Sequence, residues 1–197
     1  MIEIFRKIIA NVLEALYQPF GFAVVIAVLF TFVYMFASEY GWRRVVQKWI
    51  QYFKTSVAFR RVFLLTIYIA MIAFRTLLNR HIWANPLSDV IGVWGLYNAN
   101  GELTTEAIEN LVLFIPFTIL LLLCFQEKVL GPGVKLFIVI WKSTLIAFGC
   151  SMTIEFLQLF LRLGTFQLSD LFYNTLGGFL GGLIYWCGYK LTHRKQD

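Results

Sequence analysis

Charge is scarce in this sequence. Only 14% of its 197 residues are Asp, Glu, Lys or Arg, against roughly a quarter in a soluble domain. The apolar share of 59% and the mean hydropathy of +0.73 leave too little polar surface to coat a water-soluble fold. Histidine is rarer still. His81 and His193 stand alone in polar segments, which excludes Ser-His-Asp and Cys-His catalysis and any His-rich metal motif. Cys124, Cys150 and Cys187 fall in separate apolar runs with no CxxC spacing. Neither a disulfide framework nor a thiolate site follows, and no metal or cofactor is assigned. The net charge of +6 is concentrated in the flanks of apolar runs. It orients a membrane protein and attracts anionic lipid, and is no sign of nucleic-acid binding.

What is present is a series of apolar runs at helical spacing. Residues 2–18 place Ile2, Phe5, Ile8, Ile9, Val12, Leu13 and Leu16 opposite Glu3, Arg6, Lys7, Asn11 and Glu14, which predicts an amphipathic helix lying on the membrane. Phe20–Ser38 is a first span, retained rather than cleaved, since it is longer than a signal h-region and lacks a good A-x-A site. Residues 40–61 form a second amphipathic helix, with Trp42, Val45, Val46, Trp49, Ile50 and Phe53 on one face. Arg43, Arg44, Lys48, Lys54, Arg60 and Arg61 against Glu39 give a basic, cytoplasmic segment.

Val62–Leu78, Ile108–Phe125, Ser143–Phe160 and Leu171–Tyr189 are the remaining spans. The polar stretch between the second and third spans is acidic and belongs outside; Asn100-Gly101 predicts a small hairpin within 85–105. The sequence therefore predicts an all-α membrane protein of five transmembrane helices, N-terminus out and C-terminus in. It divides into an N-terminal extension (1–61), a four-helix domain (62–190) and a basic cytoplasmic tail (191–197).

In this topology the unusual polar residues share one level. Arg75 lies about 5 Å and Glu155 about 8 Å below the outer ends of their spans. Glu106, Glu109 and Asn110 open the third span, and Asp170 and Asn174 open the fifth. Ser151, Glu155 and Gln158 share a face at i, i+4 and i+7; Asp170, Asn174, Gly177, Gly178 and Gly181 share another. Gly177–Gly181 and Gly178–Gly182 are small-xxx-small pairs that let a neighbouring helix, the fourth span, approach closely. The expected network pairs Arg75 with Glu155 or Asp170, with Asn110, Gln158 and Asn174 filling the remaining hydrogen bonds. Intramembrane ionisable groups mark ligand sites, and buried networks also glue helices. Three acids near one arginine favour a cation, a proton or an ammonium-bearing ligand over bare phosphate.

At these residues the chain resembles the VanZ-like family of bacterial membrane proteins. The resemblance rests on EAIENLVLFIPFTILL at Glu106–Leu121, SMTIEFLQLF at Ser151–Phe160 and LSDLFYNTLGGFLGGLIY at Leu168–Tyr185. Arg75 in FRTLL and Asn85-Pro86-Leu87 also fit. Thr165, Gln167 and Ser169 stand where many relatives carry an acidic pair and an arginine. The resemblance implies a place in the bacterial plasma membrane and a link to resistance against teicoplanin and related lipoglycopeptides.

Two readings of the polar site follow. In one the protein binds or shields a lipid-linked wall precursor or a lipoglycopeptide at the membrane surface, with membrane lipids as its other partners. In the alternative it is a membrane enzyme modifying a lipid or lipid-linked envelope precursor, with Glu155, Asp170 or Glu106 as acid and base. The topology is directly testable. With five spans, single cysteines at positions 3 and 90 are both labelled by an impermeant thiol reagent added to intact cells; protection of position 3 alone leaves four full spans.

Overall fold

The computed structural model describes residues 25–26, 28–78, 82–97 and 100–193. Among these it forms six helices: α1 (Val28–Tyr40), α2 (Trp42–Thr55), α3 (Val57–Ala73, continuing as a π-helical turn over Phe74–Leu78), α4 (Glu106–Leu130), α5 (Leu136–Leu161) and α6 (Leu168–His193). The expected all-α class is observed. Val57–Leu77, Glu106–Leu130 and Leu136–Leu161 are long and apolar enough to cross a membrane. The interfacial helix expected at 2–18 lies outside the described residues.

The distribution of side chains is that of a protein solvated by hydrocarbon. Phe160 and Phe137 are 80% and 77% exposed, whereas Glu155, one turn from Phe160, is 1% exposed. With lipid outside, apolar burial gives no drive to bring helices together, so contacts fall to small and polar residues.

The boundary between the second amphipathic segment and the next span differs from expectation. The helix expected over 40–61 ends at Thr55, and α3 starts at Val57 rather than Val62. Ser56 makes the break. Its backbone is extended, and its hydroxyl accepts from the Phe59 N–H at 3.1 Å as an N-cap. Arg60 closes the joint by donating to the carbonyls of Phe53 (2.9 Å) and Lys54 (3.0 Å) at the C-terminal end of α2. α3 then runs antiparallel to α4. Arg61 reaches the Leu123 carbonyl, Tyr68 the Leu113 carbonyl, and Arg75 the Glu109 carboxylate.

α6 is the centre of the bundle, packed on α4 and α5. The expectation that both glycine pairs serve the fourth span is half right. A Cβ on Gly178 would meet Ala147, and one on Gly182 would meet Ser143, both on α5. One on Gly181 would lie 2.7 Å from the Ile115 carbonyl, and one on Gly177 would meet the Leu111 carbonyl, both on α4. Two glycine rows, one residue out of phase, thus give α6 a close-contact seam on each neighbour. Phe114, Phe117, Leu65, Ile72 and Ala147 fill the core beside the seam.

Two loops cover one end of the bundle. Backbone bonds run in parallel from Trp83 N–H to Arg162 C=O (2.8 Å), Phe166 N–H to Pro86 C=O (2.9 Å) and Leu168 N–H to Val90 C=O (2.8 Å). Asn85 nucleates the turn after it, its side chain accepting from Leu87 N–H and its carbonyl from Ser88 N–H. Of the hairpin expected within 85–105, the described residues show one antiparallel bridge, Tyr97–Leu103, with Gly101 at φ +77°. Trp94 anchors this loop on Phe172 and Tyr173, at centroid distances of 5.3 and 6.1 Å.

Two substitutions test this packing. Gly178→Val should destabilise by roughly 1–3 kcal/mol through overpacking, read as a lower unfolding temperature in detergent. Gly188→Ala, with open space around its Cβ position, should be tolerated. Gly92 has φ +71°, and a Cβ there would meet Ser169 Oγ. Gly92→Ala should therefore cost about 1–2 kcal/mol and speed proteolysis between 83 and 97 before the helices melt.

Candidate functional site: a buried polar stack

The antiparallel register of α5 and α6 builds the site. Ser143 lies against Gly182 and Ala147 against Gly178. One turn further, Asn174 donates its amide to Ser151 Oγ at 2.9 Å. The residue numbers step by four in opposite directions, about 6 Å per layer. Continued by one layer, the register sets Glu155 level with Asp170. Both are buried, at 1% and 8% exposure. The helix pair thus changes character along its length, from glycine and alanine to hydroxyl and amide to two carboxyls.

The covering loops supply donors to this end of the stack. The backbone N–H of Gln167 donates to Glu155 Oε2 at 2.8 Å. The Gln167 side-chain amide donates to Thr165 Oγ1 (3.0 Å) and Asp89 Oδ2 (3.2 Å), and the other Asp89 oxygen accepts from Gly92 N–H. Glu155 is therefore roofed by a backbone that is itself tied to the facing loop. Gln158, one turn beyond Glu155, donates to the Thr76 carbonyl at 2.8 Å in the π-helical turn of α3. A π turn widens the backbone ladder, and here a side chain from α5 serves one of its carbonyls.

Arg75 does not join this stack as expected. Its guanidinium pairs with Glu109 of α4, which also accepts from the Thr105 hydroxyl. The Arg75 and Glu109 side chains are 46% and 43% exposed, so the pair stands on the bundle's flank. The reason is register. The face of α3 carrying Tyr68 and Arg75 is held to α4, while the next residue, Thr76, turns to α5. Thr105 precedes the first residue of α4, yet its hydroxyl is committed to Glu109, and Thr104 Oγ1 accepts from the Glu106 N–H instead.

Of the residues singled out from the sequence, Asn110, Glu155, Gln158, Asp170 and Asn174 are all buried. Glu106 is half-buried in the first turn of α4, and Arg75 lies on the flank. Asn110 Nδ2, Asn174 Oδ1, Gln167 Oε1 and Ser169 Oγ are buried with no hydrogen-bond partner among the described residues. The pairing of Glu109 with Arg75 and the roles of Thr76, Asp89 and Gln167 were not foreseen. Asp89 with Gly92 three residues on is a turn signal, but its partner Gln167 is distant in sequence. Among the described residues no three His, Cys, Asp or Glu side chains gather as a metal centre needs. The stack offers carboxyl, amide and hydroxyl groups, suited to hydrogen bonding and proton exchange.

A family profile described as VanZ/LLP1 matches residues 20–189. The chain is similar to Protein VanZ of Enterococcus faecium, 32% identical over 91 residues, which is 46% of this chain and 50% of that protein. The chain thus spans about half the length of the curated relative it matches. No solved structure gives a significant match. The profile covers most of the chain, from α1 to all but the last four residues of α6, and the polar stack is built wholly within it: this protein belongs to the VanZ/LLP1 family of membrane proteins.

Proposed function

We propose that this is a multi-pass protein of the bacterial plasma membrane with five spans, N-terminus out and C-terminus in, whose loop-covered end faces outward. In this reading the polar stack binds a lipid-linked wall precursor or a lipoglycopeptide at the outer headgroups, and so shields the cell from teicoplanin-type drugs. α1 and α6 join the three long apolar helices as spans. The basic α2 supports the orientation, because short cationic segments beside spans are retained in the cytoplasm.

One observation carries the ligand reading. Buried polar atoms in and beside the stack find no hydrogen-bond partner among the described residues. Asn110 Nδ2, Asn174 Oδ1 and Ser169 Oγ lack partners among the described residues, and each such atom carries a desolvation penalty of roughly 1–3 kcal/mol. Were the stack only glue between helices, saturation of these groups would be favoured. Their open valences suit a ligand bearing both donors and acceptors, as peptide and sugar groups do. The level placement of Glu155 and Asp170 also supports a second reading, acid–base chemistry on an envelope lipid.

Glu155→Gln, Asp170→Asn and Arg75→Ala, each expressed in full-length protein, test the proposal. Membrane levels should stay near wild type while teicoplanin tolerance falls to that of cells lacking the protein for the first two. Arg75→Ala, on the flank, should lose less. Loss of the protein from the membrane in both stack variants identifies structural glue instead. An altered wall-precursor or lipid mass spectrum on expression, abolished by Glu155→Gln, supports the enzymatic reading.

A further inference from the structure

A second polar feature lies at the opposite end of the α3–α4 pair, remote from the stack. α4 leaves helical geometry at Phe125 (φ −127°, ψ 31°). A cleft of about 320 Å³ opens there, lined by Arg61 and by residues 123–128. Arg61 donates one N–H to the Leu123 carbonyl at 3.2 Å, which holds the guanidinium at the wall. A guanidinium has five N–H donors, so this bond uses only one. The Lys128 ammonium sits over the Phe125 ring, 6.0 Å from its centroid. Tyr185 of α6 donates to Gln126 Oε1 at 2.7 Å, tying the next residue of α4 to the bundle. Two cations outnumber the single acid, Glu127, and Leu123 and Phe125 present exposed apolar surface beside them.

The neighbouring helix says what lies at this level. α2 has no buried residue, and exposes Trp42, Val46, Trp49 and Ile50 alongside Arg43, Arg44 and Lys48. An amphipathic helix of this kind is stabilised in the plane of the headgroups. α2 leads through Ser56 into α3, with Arg61 little more than one turn from its start. The cleft therefore opens where phosphates and the first acyl carbons meet. A soluble phosphate would use only the cations; a phospholipid uses the cations and the apolar wall together.

We propose that this cleft binds an anionic phospholipid of the leaflet on which α2 lies, its phosphodiester on Arg61 and Lys128 and an acyl chain along Leu123 and Phe125. The proposal uses none of the stack residues and stands whether or not the stack binds a ligand.

The test uses full-length protein in mixed micelles of detergent and phosphatidylcholine. Phosphatidylglycerol is titrated in, and inorganic phosphate is added in a parallel series. Binding is read by native mass spectrometry and by the rise in unfolding temperature. Wild type should bind phosphatidylglycerol and respond little to phosphate. Arg61→Gln and Lys128→Gln should each weaken lipid binding about five-fold, the effect of one basic residue near a membrane surface. Lys142→Gln, an exposed cation on α5, should leave it unchanged. Arg61→Lys should retain most of the binding. If Arg61→Gln does not fold, Lys128→Gln carries the test alone, because it leaves the Arg61–Leu123 bond in place. Equal binding by Lys128→Gln and wild type, equal protection by inorganic phosphate, or an equal loss in Lys142→Gln overturns the proposal.

Discussion

The constraint beneath this fold is that hydrocarbon offers helices no apolar reason to associate. Close approach must come from shape, and α6 provides it with two glycine rows rather than one. Gly178 and Gly182 admit Ala147 and Ser143 of α5; Gly177 and Gly181 admit the backbone carbonyls of Leu111 and Ile115 of α4. Once both seams close, the axial position of α6 is fixed against two neighbours. The polar residues one and two turns further on have no freedom left in level. The Asn174–Ser151 hydrogen bond and the shared level of Asp170 and Glu155 are consequences of glycines that touch neither carboxyl.

That arrangement explains how a carboxyl is held at 1% exposure. A polar group withdrawn from water demands hydrogen bonds in return. For Glu155 one comes from a backbone N–H, that of Gln167, in a loop that must fold back over the helix ends to deliver it. The loop is held by parallel backbone bonds to residues 83–91 and by the Asp89–Gln167 contact. The burial of Glu155 and the docking of two loops are thus one structural event. The close fit of Gly92 on Ser169 shows how little space separates the two layers.

Much of this was legible in the sequence, and the limits have physical causes. Helical periodicity placed Ser151, Glu155 and Gln158 on one face and Asp170, Asn174 and the glycines on another, and these faces are buried. It did not reveal that the glycines form two rows. Gly177 and Gly178 are 100° apart around the helix, and which neighbour each meets is a matter of bundle geometry. The pairing of Arg75 was misjudged for the same reason. Four acids, Glu106, Glu109, Glu155 and Asp170, lay within plausible reach at one depth, and only the rotation of α3 on α4 selects Glu109. The break at Ser56 was missed because amphipathic character continues through it; the sign was local, a serine whose hydroxyl caps the next turn. The hairpin at Asn100-Gly101 was read from a strong turn signal, and among the described residues its flanks make a single bridge.

The positions of the two arginines on α3 bear on how the bundle sits in the bilayer. Arg61 and Arg75 are separated by fourteen residues (75 − 61), about 21 Å along a helix, against a hydrocarbon thickness of roughly 30 Å. Both side chains run to α4. Arg75 finds Glu109 at one end, and Arg61 finds the Leu123 carbonyl beside the Phe125 kink at the other. Long cationic side chains of this kind bury their methylenes and carry the charge to the headgroups. In a bilayer of that thickness a vertical shift of α3 in either direction would carry one guanidinium toward the middle of the slab, so the two would act as opposed stops. Through the α3–α4 tethers and the α4–α6 glycine seam, the depth they set for α3 is passed to the carboxyl layer. The carboxyl layer, joined to Thr76 through Gln158, is thereby held at the Arg75 end of α3.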